Sequence, residues 1–405
     1  MNVEPEIPLS QIDLNALWVI KRLRAKDYEA YLTGGCVRDL LLGRVPKDFD
    51  IATNAKPEEI RKIFRNSRLI GRRFLLAHVF FPGNKIIETA TFRANPLDVQ
   101  EDLPEDLLVT QDNVYGDIEQ DAKRRDLTIN GLFYDPIEGK VIDYVGGRED
   151  LEQRLIRTIG DPDIRFREDP VRILRAIKFA GRLDFEIESN TLEGMKAHVS
   201  EIPRCAPARL QEEFLRLLLS GHAVKAYELC KELGILEIFM PELSEGFVSM
   251  LKAVDEAHAR EVDIPTSVAF SAIMLPTYLA LEQSEQNERN WVDKLCVDWA
   301  ERIRLARHDQ DRVRNLLPVI SNFKSAIVRK SWFKEALLLY TLYLFAKGES
   351  LEPVARLKAM AKSADKEYLQ GKRGAPKVRS HFRRRRPQNR RRRPQNQSEE
   401  AEHAA

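Results

Sequence analysis

Cysteine is scarce in this sequence of 405 residues, and the four that occur are scattered: Cys36, Cys205, Cys230 and Cys296. None forms a C-x-x-C pair, which excludes a disulfide framework and the ligand spacing of a structural zinc site. Long apolar runs are also lacking, since the stretch from Ala336 to Ala346 is much shorter than the roughly 20 residues that cross a bilayer. The acidic N-terminus lacks the apolar core of a signal peptide, so we expect a cytoplasmic protein with no membrane contact.

Net charge is small as well, only +2, but the charges are unevenly distributed. From Gly371 onward there are 12 Lys and Arg against 3 Glu, whereas residues 1–370 carry 53 basic and 60 acidic side chains. An acidic body with a cationic tail indicates a polyanionic partner that is held partly by the tail.

Strand and helix patterns alternate in the first third of the chain. Short apolar runs beside Gly and Pro predict strands, and apolar residues at helical spacing predict helices. The opening helix has a possible N-cap at Ser10, and a helix that follows the first strand ends at Gly43. The predicted elements are a helix around 16–23, a strand at 31–33, a helix at 37–42, a strand at 48–52, a helix at 57–66 and a hairpin at 77–81 and 85–91.

Helical patterns dominate from about Pro162 to about Lys362, with strong examples at 171–183, 208–219 and 223–233. The expected fold class is therefore α+β: a head with a small mixed sheet, followed by an all-α neck and body. The last segment, with its repeated RRRRPQN, should be disordered. The predicted boundaries are 1–160 for the head, 161–240 for the neck, 241–370 for the body and 371–405 for the Arg-rich tail.

The first motif that carries chemistry runs from Gly34 to Asp39 and is followed by Asp48-Phe49-Asp50. Two glycines between a strand and a helix allow backbone N–H groups to approach a phosphate. Because side chains alternate along a strand, Asp48 and Asp50 should share one face, about 7 Å apart. Two such carboxylates can hold hard cations such as Mg²⁺.

Two further motifs are Arg124-Arg125-Asp126-Leu127-Thr128-Ile129-Asn130 and Glu168-Asp169-Pro170-Val171-Arg172-Ile173-Leu174-Arg175. Pro170 suits the first turn of a helix, with Asp169 near its N-cap. Arg172 and Arg175 then lie on one helical face. Taken singly, each motif is also typical of a capped element with solvated charges.

In this order, the four motifs GGxVRD, DxD, RRDxTIN and EDPxRxLR resemble the class II branch of the polymerase-β-like nucleotidyltransferases, which contains bacterial poly(A) polymerases and CCA-adding enzymes. The resemblance implies a nucleotidyltransferase head, two Mg²⁺ ions on Asp48 and Asp50, and ATP as substrate. It implies a triphosphate site at Gly34, Gly35, Arg38 and Arg125. Asp169 and Arg172 would read the incoming base without a template, and Arg175 would support phosphate or ribose.

A third carboxylate has two candidates: the resemblance favours Asp126, and Glu88 in the predicted hairpin is the geometric alternative. His78 is interpreted as a packing residue. The segment from Leu69 to Val79 looks like the one that distinguishes poly(A) polymerases from CCA-adding relatives, and its Arg72 and Arg73 are candidate RNA contacts. Further candidates in the tail are Arg383, Arg384, Arg385, Arg386, Arg390, Arg391, Arg392 and Arg393.

These features favour poly(A) addition to RNA 3′ ends, in a monomer that meets RNA-degradation or RNA-chaperone proteins. CCA addition to tRNA is the alternative. A non-catalytic RNA-binding protein on the same fold is a second alternative, against which the intact acids argue.

Overall fold

The computed structural model describes residues 5–71, 75–96, 107–108, 114–240, 243–284, 297–298, 301–302 and 305–374. It confirms the expected α+β architecture, with a seven-stranded sheet in the head and mostly helices beyond it. Within those ranges, no helix combines the length and the apolar character of a bilayer span.

The head is built on a seven-stranded mixed sheet in the order β3-β4-β5-β2-β1-β6-β7. Strands β2 and β5 pair in parallel, and the other neighbours are antiparallel. A short parallel pair, β8 with β9, lies at the border of the neck. The strands are β1 Ala30–Thr33, β2 Asp50–Thr53, β3 Ser67–Ile70, β4 Leu76–Phe81, β5 Lys85–Thr91, β6 Phe133–Asp135, β7 Lys140–Ile142, β8 Leu155–Ile156 and β9 Glu186–Ile187.

Helices α1 (Leu14–Arg24), α2 (Gly35–Leu41), α3 (Pro57–Ile63), α4 (Ile118–Lys123) and α5 (Gly147–Gln153) complete the head. The N-cap of α1 is Asp13, whose carboxylate accepts from the N–H groups of Asn15 and Ala16. The prediction of Ser10 as its cap was therefore wrong, because Ser10 lies in a separate 3₁₀ turn. The C-cap of α2 is Leu42, and Gly43 follows it with φ +67°.

The two faces of the sheet differ in what covers them. Ile51 and Ile87 face α1 and α3 and join the main core with Ile20 and Ile60. The alternate residues of β2 and β5 face the other way, where Ala52 packs with residues of α4 and β6. One face is thus sealed by helices, and the opposite face is available for polar side chains.

The neck and body are helical, as predicted. The segment 171–183 is one helix with the predicted bounds, and the last helix continues to Gly374, beyond both the last predicted helix and the predicted body boundary. The helices are α6 Pro162–Glu168, α7 Val171–Leu183, α8 Ser189–His198, α9 Pro207–Leu218, α10 Ala223–Glu232, α11 Ile235–Phe239, α12 Phe247–Ala259, α13 Thr266–Ser284, α14 Arg307–Ile320, α15 Phe333–Lys347 and α16 Glu352–Gly374.

Candidate active site

A row of polar side chains crosses the open face of the sheet. Asp50 on β2 is in register with Glu88 on β5, and Glu88 is in register with His78 on β4. The His78 Nε2 lies 3.3 Å from a Glu88 carboxylate oxygen. Asp48 is exposed and precedes β2, because the strand begins only at Asp50. The strand predicted from residue 48 was thus two residues too long at its start.

The electrostatics of Asp50 show that this row concentrates negative charge. The pKa of Asp50 is raised to about 6, mainly by burial and then by the neighbouring carboxylate Glu88, while Arg125 lowers it and Asp48 adds a smaller rise. Like charges near a buried acid disfavour its ionised form. A cation at this position would relieve the repulsion.

Arg125 and the Gly34 turn lie next to each other. Gly34 has φ +70°, a backbone conformation that favours glycine, and a β-carbon there would lie 3.1 Å from the guanidinium of Arg125. Arg125 is held by Asp121, to which its Nη2 donates at 2.8 Å, and by the carbonyl of Asn130 at 3.1 Å. The structure therefore brings together the first two sequence motifs, with Arg125 also close enough to Asp50 to influence its pKa.

Arg38 is placed differently from the expectation. Its side chain is only 2% exposed and donates to Asp39 at 2.7 and 2.9 Å and to Asn130 Oδ1 at 2.6 Å. It also lies over the ring of Phe179 on α7, at 4.8 Å from its centroid. These contacts make Arg38 a link between α2 and the neck. Its direct contact with a triphosphate stays a prediction that this geometry does not favour.

Asp126 is enclosed in an ion pair with the neck. Arg175 Nε donates to its carboxylate at 2.6 Å, and the Leu127 N–H and the Asn130 amide donate at 2.9 and 3.3 Å. Burial alone would raise the pKa of Asp126, but these partners hold it well below its usual range. The register of β2 and β5 places Glu88 beside Asp50, whereas Asp126 is bound to Arg175, so this geometry favours Glu88 as the third acid, and the choice between them stays a prediction.

Arg175 itself bridges the head and the neck. Besides Asp126, it donates to Glu213 on α9 at 3.1 Å, and Lys178 Nζ donates to the same Glu213 at 2.6 Å. Burial, followed by repulsion from Arg175, lowers the pKa of Lys178 to about 8. With both acids in contact, Arg175 has a positioning role in this structure, and support of phosphate or ribose stays a prediction.

The acid and the arginine expected to read a base lie at the start of α7. Asp169 accepts hydrogen bonds from both terminal nitrogens of Arg209 on α9, at 2.8 and 2.6 Å. Arg172 donates to Glu168 at 2.7 Å and to the carbonyl of Arg165 at 2.9 Å. Asp169 is 7% exposed, and the Arg172 side chain is 14% exposed. Both are thus held rigidly by neighbours.

Several of these neighbours were missed by sequence reasoning. Glu168, which is 1% exposed, accepts hydrogen bonds from two arginines and from the Asn95 amide. The three-residue spacing from Arg165 to Glu168 was visible in the sequence and could have revealed that pair. No sequence signal links Arg209 to Asp169, since 40 residues separate them. The predicted RNA contacts Arg72 and Arg73, and all the tail arginines, lie outside the described residues.

The acid row suits a hard divalent cation. Within the described ranges, no group of three or more acidic, His or Cys side chains is arranged to hold a metal ion by itself. Mg²⁺ sites that act on nucleotides need only one or two carboxylates, because water and phosphate oxygens complete the coordination. The uncompensated charge around Asp50 and the exposed Asp48 fit that arrangement.

Comparison with known proteins agrees with this geometry. Residues 30–157 match the family model "Poly A polymerase head domain", and residues 184–247 match "Probable RNA and SrmB- binding site of polymerase A". The head of the chain is thus similar to the head domain of poly(A) polymerases, and that match ends at residue 157.

Individual relatives carry two kinds of name. The chain is 44% identical to a Haemophilus influenzae poly(A) polymerase I over 275 residues, which are 64% of this chain and 61% of the relative. It is 47% identical to one from Escherichia coli O157:H7, over 60% of this chain and 53% of the relative. A Geobacillus thermodenitrificans CCA-adding enzyme is 37% identical, over 57% of this chain and 55% of the relative. The chain thus spans about three fifths of the length of the curated relatives it matches.

A solved CCA-adding enzyme in its apo form II superimposes with a TM-score of 0.61 at 24% identity, over 84% of this chain and 82% of the other. At that identity the likeness shows the fold. It covers the helical part of this chain as well as the head.

Proposed function

We propose that the protein transfers AMP from ATP to RNA 3′ ends without a nucleic-acid template and releases pyrophosphate. The observation that carries the proposal is the acid row beside the Gly34 turn and Arg125, since paired carboxylates next to a phosphate-binding turn are what phosphoryl transfer needs. Higher identity to poly(A) polymerases than to CCA-adding enzymes supports adenylate addition over CCA addition.

In the proposed reaction, the RNA 3′ oxygen bonds to the α-phosphorus of ATP, the bond from that phosphorus to the bridging oxygen breaks, and the hydroxyl proton is lost. Two Mg²⁺ ions bound by Asp48 and Asp50 would supply hydroxyl activation and charge neutralisation. Glu88 would add negative charge beside Asp50. The Gly34 and Gly35 backbone and Arg125 would hold the triphosphate.

Base selection is proposed for Asp169 and Arg172. An acid that accepts and an arginine that donates can present an edge complementary to adenine. Each carboxylate oxygen has two lone pairs, so Asp169 can accept from a base while it still accepts from Arg209. Arg209 and Glu168 fix the two side chains, so the selecting edge would be formed before the nucleotide arrives.

The remaining predictions from the sequence are proposals as well. We infer a head, neck and body divided near residues 160, 240 and 370, a monomeric state and a cytoplasmic location. Arg72, Arg73 and the arginine-rich tail are proposed to bind RNA, and RNA-degradation or RNA-chaperone proteins are the proposed partners.

The test offers purified protein ATP, CTP or both, with Mg²⁺ and either a generic RNA oligomer or a tRNA that lacks its CCA end. Long products from ATP on the generic RNA are expected, with few additions from CTP. Addition of C, C and A to the trimmed tRNA followed by a stop would establish CCA addition. No incorporation on either RNA, with RNA binding intact, would establish the non-catalytic alternative.

A further inference from the structure

A cleft of about 480 Å³ opens on the helical side of the head, where α1 passes the end of α3. It lies on the sheet face sealed by helices, because Ile51 and Ile87 point to this side while Asp50 and Glu88 point to the other. The cleft is therefore separate from the candidate active site. It is lined by Trp18, Arg22, Lys62, Ile63, Arg65 and Asn66.

Three of the lining residues are exposed cations: Arg22, Lys62 and Arg65. Across the described part of the chain, none of the three makes an ion pair, although most arginines of the head and neck have carboxylate partners. Helix α1 itself contains no acidic residue. Residues 1–370 carry a net negative charge, so three cations without ion pairs at one cleft of the head indicate a site for an anion.

The same cleft presents an aromatic surface. The Trp18 indole is 43% exposed. The indole packs against Phe64 and Phe81, whose ring centroids each lie 5.6 Å from its own. The Arg22 guanidinium lies over the indole at 5.3 Å from the ring centroid. Indole and guanidinium planes are the surfaces on which unpaired bases stack. The supporting rings hold the indole in place, so little order is lost on binding.

We propose that this cleft is a second RNA site that holds one unpaired nucleotide of a single strand, with its base on Trp18 and Arg22 and the flanking phosphates on Lys62 and Arg65. The volume suits a nucleotide-sized ligand, and stacking requires a base that is free of its partner strand. The proposal rests on the proposed function only in that the protein meets RNA. Its place on the rear of the head means that it binds RNA upstream of the reacting 3′ end.

The experiment measures binding of fluorescein-labelled, unstructured RNA to the full chain without ATP, at several salt concentrations. The variant Arg22→Gln/Lys62→Gln/Arg65→Gln removes the cations, and all three are exposed, so folding is retained. The matched control, Lys26→Gln/Lys140→Gln/Lys324→Gln, removes the same charge from exposed sites outside the cleft. A second variant, Trp18→Leu, tests stacking separately.

The cleft variant should bind RNA roughly tenfold more weakly than the control. Its slope of log affinity against log salt should be smaller in magnitude by about 1.4, since Lys62 and Arg65 each lose one phosphate contact and each lost contact on a single strand removes about 0.7. Trp18→Leu should weaken binding without changing the slope, because stacking releases no counterions. Equal affinity and slope in the cleft and control variants would overturn the proposal. The proposal would also be overturned if the cleft variant bound polyglutamate more weakly while its RNA binding was unchanged. That result would assign the cleft to a protein partner.

Activity separates this proposal from the proposed function. Addition of AMP to a saturating short primer should survive in the cleft variant, because none of its positions lies at the acid row. A cleft-dependent RNA affinity in a protein that adds no nucleotide would sustain the second site and refute the transferase. Normal addition of AMP, together with an RNA affinity that is unchanged in the cleft variant, would support the transferase and refute the second site.

Discussion

Replacing Arg209 with Gln should weaken nucleotide selection without abolishing transfer. In the structure Arg209 donates to both oxygens of Asp169, at 2.8 and 2.6 Å, and the Asp169 side chain is only 10% exposed. Gln can restore at most one of these bonds and carries no charge. The carboxylate would then rotate more freely, and its lone pairs would no longer point in one direction.

The size of the effect follows from the geometry. Hydrogen bonds to charged groups contribute about 1.5–3 kcal/mol each, but the Arg209 side chain is 35% exposed, so water replaces part of what is lost. A net loss of about 1–2 kcal/mol of ATP transition-state binding remains, a factor of about 5–30 in kcat/KM. Discrimination of ATP from CTP should fall by a similar factor, since CTP gains little from an oriented Asp169.

The assay compares kcat/KM for ATP and for CTP on one generic RNA. Arg260→Gln is the matched control, because Arg260 is a helix-end arginine whose ion pair, with Glu256, is exposed. Arg209→Gln/Asp169→Asn should lose little beyond Asp169→Asn alone, since Arg209 acts through Asp169. An unchanged ATP-to-CTP ratio in Arg209→Gln, with Tm also unchanged, would refute the positioning role.

Three other predictions follow from the same geometry. Asp48→Asn should reduce incorporation by several orders of magnitude at unchanged Tm, because Asp48 is exposed; substantial residual activity would contradict its metal-binding role. Glu88→Gln should lower activity by roughly 10–100-fold at constant Tm. Asp126→Asn should instead cost about 2–3 kcal/mol of stability, because Arg175 loses a buried partner. The opposite pattern in activity assays and thermal melts would restore Asp126 as the third acid. Deletion of residues 375–405 should reduce RNA affinity and flatten its salt dependence, and superimposable binding curves would exclude an RNA-tethering tail.

The elements best predicted from the sequence are those with strong local patterns. The hairpin of β4 and β5 was located within a residue because alternation and Pro82-Gly83-Asn84 mark its strands and turn. The bounds of α7 were found because its apolar residues keep a helical period. Strand β3 was missed, since its four residues are too few to alternate recognisably, and β6 is buried throughout and shows no period at all.

In the candidate site, too, residues in local motifs could be predicted, whereas contacts between distant parts of the chain could not. Asp50 and Gly34 lie in short motifs whose local geometry is fixed by a strand and a tight turn, so their neighbourhood could be predicted. The partners that bury Arg38, Asp126 and Asp169 come from elsewhere in the chain, 92 residues away for the Arg38–Asn130 bond and 49 for the Arg175–Asp126 bond. Motif reasoning assigned Arg38 and Arg175 to substrate because it had no information on these tertiary acceptors.

Helix α7 connects the proposed base-reading residues to the head. Arg172, Arg175 and Arg182 follow one another at helical spacing, and they contact Glu168, Asp126 and Asp39, respectively. A shift of α7 would therefore disturb the base-reading end and the head contacts together, because each arginine is anchored by a carboxylate. Changes on this face of α7 should alter nucleotide choice and turnover together. That coupling would give the proposed transferase a physical reason for a fixed nucleotide preference in the absence of a template.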